Sequence, residues 1–173
     1  MENREEQKNL IGVWPNLSRA YEIAKLACLE IKVVSNSDPG NFVTETYPKL
    51  LQDLPIINEF FAGVNITTAP TKPHLTVEIH QPTKYDNRRH ESMESVNNRI
   101  LRATNTMELL KSLTIPVYNE ASLMLYNTAI EKLGLGLHDC HIIDKTVIVI
   151  AALSDSTTVR VEHIAEAIQY FSY

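Results

Sequence analysis

Two short stretches carry the residue types from which a site could be built. The first, "SNSDPGNFVTE" (35–45), follows the β-branched pair Val33–Val34 and carries Pro39–Gly40. Serine, asparagine, glycine and proline after such a pair fit a strand that empties into a phosphate-cradling loop. A working loop of that kind needs glycines for close backbone approach, a lysine for the β/γ-phosphates and a hydroxyl for magnesium. Gly40 is the one glycine of this loop, Asn41 follows it where the lysine is wanted, and Thr44 and Thr46 have no lysine beside them. A functioning phosphate site is not expected. A plain turn and a decayed phosphate loop both fit the residues.

The second stretch is "HDCH", His138–His141. On a helix His138 and His141 share a face at i, i+3 while Cys140 turns away. Three ligands from four consecutive residues cannot close a tetrahedral zinc site, and no distant CxxC or HxxxH completes it. A structural or exposed role is expected, with no bound metal. His74, His80, His90 and His163 are scattered. Ser92 and Ser122 lack the surroundings of a nucleophile elbow. Glu162 and Glu166, one turn apart at a helix start, suit the helix dipole. No catalytic residue and no cofactor are expected.

The bulk composition agrees with a folded protein and excludes some partners. Of 173 residues, 44% are hydrophobic and 21% charged, with a net charge of −5. Basic and acidic residues number 8 and 10 through Tyr85, then 8 and 11. Neither part offers the basic surface that phosphate backbones require, so nucleic acid is not an expected partner. Cys28 and Cys140 make no disulfide framework and suit reduced thiols. "MENREEQKNL" lacks the apolar core of a signal peptide. The run Val147–Leu153 is too short to span a bilayer. A soluble, cytoplasmic chain with no membrane partner is expected.

Periodicity then places the elements. Leu17, Ala20, Tyr21, Ala24, Ala27 and Cys28 recur at helical steps, with Asn16 or Ser18 as cap. A second helical stretch, broken at Pro48 and Pro55, carries Leu50, Leu51, Leu54, Ile57, Phe60 and Phe61. Leu75, Val77 and Ile79 alternate with Thr76, Glu78 and His80, which predicts a half-buried strand near 75–80. Its flanking prolines at 70, 73 and 82 favour an edge. Asp86–Leu110 reads as a long polar helix bearing Met93, Val96, Ile100, Ala103 and Leu110. Asn119, or a residue just before it, opens the next helix, and Gly134 stands where a left-handed stop is wanted. "TVIVIAAL" (146–153) is β-branched enough to be strand or helix. "VEHIAEAIQYF" (161–171) closes the pattern with Ile164, Ala167, Ile168 and Phe171 on one stripe.

Four blocks of the later sequence resemble a known family. "LTVEIHQP" (75–82), "ESMESVNNRILRA" (91–103), "EKLGL" (131–135) with "VIVIAAL" (147–153), and "VEHIAEAIQY" (161–170) look like the C-terminal part of magnesium-chelatase-like AAA+ ATPases. Within that family the ComM-type, competence-linked branch is the most similar. "AKLACLEI" (24–31) and "VVSNSDPGNF" (33–42) resemble the helix and the strand-loop that precede it, and "YPKLLQDLP" (47–55) their continuation. The resemblance implies a mainly α fold: a four-helix lid-type bundle over 86–173, preceded over 1–85 by a reduced α/β remnant. It also implies that 138–153 is helix.

The departures bear on function. The family lysine falls at or just after Gly40, where this chain has Asn41. Its arginines fall near His74, at His138 and at Ile148, and none is replaced by lysine. Gly40, Asn41, Thr44 and His138 are then the remnant of a nucleotide site. An ATPase needs a lysine clamp, magnesium and arginines that stabilise developing charge. The resemblance therefore implies a catalytically silent interaction or assembly module with a protein partner, a full-length AAA+ paralogue being one candidate. The alternative it implies is an accessory subunit of such an ATPase, contributing to ATP-dependent DNA processing or metal chelation.

Overall fold

The computed structural model describes residues 15–35, 58–59, 61–67, 74–79, 93–112 and 118–171. Its described elements are mainly helical, with one small parallel sheet. In chain order they are α1 (Pro15–Ala27), β1 (Ile31–Ser35), β2 (Ile66–Thr67) and β3 (Leu75–Ile79), then α2 (Met93–Ser112), α3 (Glu120–Leu133), α4 (Leu137–Leu153) and α5 (Val161–Gln169). The chain divides into two compact units, Met1–Val96 and Asn97–Tyr173. The division at 85/86 read from the sequence lies upstream of that point.

In the first unit the strand order is β2-β1-β3, all parallel. β1 and β3 run in register from Ile31↔Leu75 to Ser35↔Ile79, and β2 joins through Ile31↔Ile66 and Lys32↔Thr67. The alternation read at 75–79 has its physical basis here. Leu75 and Val77 are buried while Thr76 is half-buried, and β3 is an edge of the described sheet. β1 and β3 are thus direct hydrogen-bonded neighbours.

α1 packs on β3 and β1. The helix begins at Pro15, a residue suited to the first helical position because its missing N–H would be unsatisfied there anyway. Asn16 and Ser18 therefore fall inside the helix and do not cap it. Ser18 is buried, and its Oγ has no hydrogen-bond partner among the described residues. Glu22 is also buried and pairs with Arg19 at 3.7 Å. The helix ends in a Schellman motif: Cys28 adopts φ 55° and the Leu29 N–H reaches the Ala24 carbonyl at 2.9 Å. Tyr21 stacks obliquely on Phe61, ring centres 5.0 Å apart, and its hydroxyl donates to the Ala62 carbonyl. Asn58 brackets Ile66 of β2, donating to its carbonyl and accepting from its N–H. Of the second helical stretch, Asn58–Glu59 are helical and Phe61 sits buried in a turn. Its other apolar positions lie outside the described residues.

In the second unit α5 packs against both α3 and α4. Asn119 is the N-cap of α3, its side chain accepting the Ser122 N–H at 2.8 Å, and Gly134 is the left-handed stop at φ 61°, as their positions predict. "TVIVIAAL" is helix, within α4. Eight residues of α4 are buried, among them Ile143, Val147 and Ile150, so packing overrides the β preference of its branched side chains. Thr146 turns its hydroxyl back to the Ile142 carbonyl at 2.8 Å, which satisfies a polar group that the core would otherwise strand. Ile164 and Ala167 of α5 are buried, whereas Leu153 and Ile168 are only half-buried. The part of α2 in this unit buries Ala103 and Leu110, seven residues apart, and leaves Leu101 and Leu109 exposed. No helix among the described residues is long and apolar enough to cross a membrane.

Candidate functional site

Of the four positions that the resemblance marks as a nucleotide-site remnant, Gly40, Asn41 and Thr44 lie outside the described residues. His138 is described: it is the second residue of α4 and is exposed. "HDCH" is a helix start. Asp139 accepts the Gly136 N–H at 3.1 Å, the half of a capping box that a glycine N-cap permits. His141 is exposed and Cys140 half-buried. Among the described residues no three histidine, cysteine, aspartate or glutamate side chains gather as a metal site. His74 immediately precedes β3 and accepts the Glu30 N–H on its Nδ1 at 3.1 Å. It ties the entries of β1 and β3 together. Ile148 is half-buried within α4.

Among the described residues of the helical unit, one polar grouping joins residues that no local sequence pattern links. Tyr118, just before the α3 cap, donates to Asp144 Oδ1 at 3.3 Å, and Tyr126 donates to the Cys140 carbonyl at 3.2 Å. The two rings stack at 6.3 Å, 10° from parallel. Burial raises both phenols above their ordinary range, and the Asp144 carboxylate raises them further by its charge and by hydrogen bonding. Both hydroxyls act as donors and join α3 and the residue before its cap to α4. The chain offers a weak signal at most: Tyr118 and Tyr126 are eight residues apart, but Asp144 is remote and nothing local marks it.

A second grouping fixes the entry to α5. The buried Ser122 hydroxyl lies 2.6 Å from Asn119 Oδ1 and 3.0 Å from the Val159 carbonyl oxygen, so its single proton serves one acceptor at a time. Tyr118 and Val159 also form a parallel β-bridge. His163 accepts the Arg160 N–H on Nδ1 at 3.1 Å, which places its proton on Nε2. These contacts hold α3, α4 and α5 as one scaffold.

Outside that scaffold the unit carries exposed apolar side chains. Leu137 is 92% exposed at the start of α4, with Leu133 at 44% at the end of α3. On α3 itself Met124 is 66% exposed and Leu123 44%. Singly exposed apolar side chains are ordinary on a protein surface. No family model matches the chain, and no curated protein matches it.

Proposed function

We propose that this chain is a shortened, non-catalytic relative of magnesium-chelatase-like AAA+ proteins that acts as a protein-interaction or assembly module. In this reading residues 86–173 form the family's four-helix lid-type bundle. The exposed apolar set on the helical unit, Leu137 with Leu133, Leu123 and Met124, carries the interaction part of the proposal, because several apolar side chains on one small unit are what a protein partner would cover. The substitutions at the family's charged positions support the non-catalytic part: Asn41 for lysine, and His74, His138 and Ile148 for arginines. Fold-level likeness alone would not carry a function.

The test has two arms on the full chain. Calorimetric titration with magnesium-ATP should give no binding in the micromolar range. Saturable turnover abolished by Gly40→Ala or Thr44→Ala would make the chain an enzyme and end the proposal. Affinity capture from the native host should retain a protein that Leu137→Asp releases while helical content is unchanged. Retention of the same partner by Leu137→Asp and by Met124→Asp would place the binding surface elsewhere.

A further inference from the structure

We draw no further inference here: the strongest candidate, the leucine-bearing turn between α3 and α4 where Leu137 stands 92% exposed and Leu133 44%, belongs to the surface already described, and nothing in the structure shows what covers it.

Discussion

The Tyr118 hydroxyl donates to Asp144 Oδ1 at 3.3 Å, tying the residue before the α3 cap to the middle of α4. With Tyr126 stacked beside it and bonded to the Cys140 carbonyl, the pair joins two helices that meet at a glycine-bearing turn. The phenols of Tyr118 and Tyr126 are both raised by burial first and by Asp144 next.

That relationship sets an alkaline limit on stability. Unfolded tyrosines ionise near pH 10, whereas the folded pair keeps its protons above that point. The folded state then binds more protons than the unfolded one, so this contribution is full below about pH 10 and falls as pH rises further. The urea midpoint should drop between about pH 8 and about pH 11, and less steeply in Tyr118→Phe. Equal slopes in the two proteins would show that the clamp does not couple to folding.

Three helices end with a residue in the left-handed region, and only one of those residues is glycine. Gly134 lies at φ 61°, Cys28 at 55° and Asp155 at 52°, each followed by an N–H that reaches back to the last turn. A side chain at 134 would meet nothing within 4 Å, so Gly134→Ala isolates the backbone term. It should cost about 1–2 kcal/mol. Cys28→Gly should stabilise by about 0.5 kcal/mol, relief of strain outweighing the added freedom of the unfolded chain. Thermal melts of both variants check the opposite signs, and a destabilised Cys28→Gly would show that the thiol makes contacts worth more than the strain.

The Asn119–Ser122–Val159 grouping should behave as a unit. Ser122→Ala removes the donor facing a buried carbonyl and should cost about 1–3 kcal/mol. Asn119→Ala removes the cap and should cost about 1 kcal/mol. Because the Ser122 hydroxyl also reaches Asn119 Oδ1, the two substitutions share that contact and the double variant should lose less than the sum. Strict additivity in denaturant titrations would argue that the two contacts are independent.

Ile150 tests the core of the helical unit. It is fully buried in α4, as are Val147 and Ile143. Ile150→Ala should cost about 2–5 kcal/mol by leaving a cavity. Ile150→Asp places an unpaired charge in apolar packing and should remove most of the helical circular dichroism of residues 97–173. A folded Ile150→Asp protein would require a water-filled path to that position.

Elemental analysis of protein purified without an affinity tag should find no stoichiometric zinc. Asp139 is engaged at the α4 start, and His138 and His141 stand exposed. One equivalent of zinc lost in His138→Ala would overturn this expectation.

Local chemistry alone determined several elements. Asn119 and Gly134 bound α3 because capping and left-handed stops depend on residues within one turn of each other. The alternation of Leu75, Val77 and Ile79 marked β3 because a pleated strand has a period of two. The start of α1 departs from the side-chain capping pattern, since Pro15 serves as a first helical residue and Asn16 and Ser18 lie inside the helix. Tertiary structure decided the rest. "TVIVIAAL" is helix because burial on several sides outweighs branched-residue preference, and no window of eight residues contains that burial. The neighbours β1 and β3 are more than forty residues apart, and Tyr118 meets Asp144 across 26 positions. Contacts at that separation follow from how helices and strands pack, and spacing along the chain does not encode them.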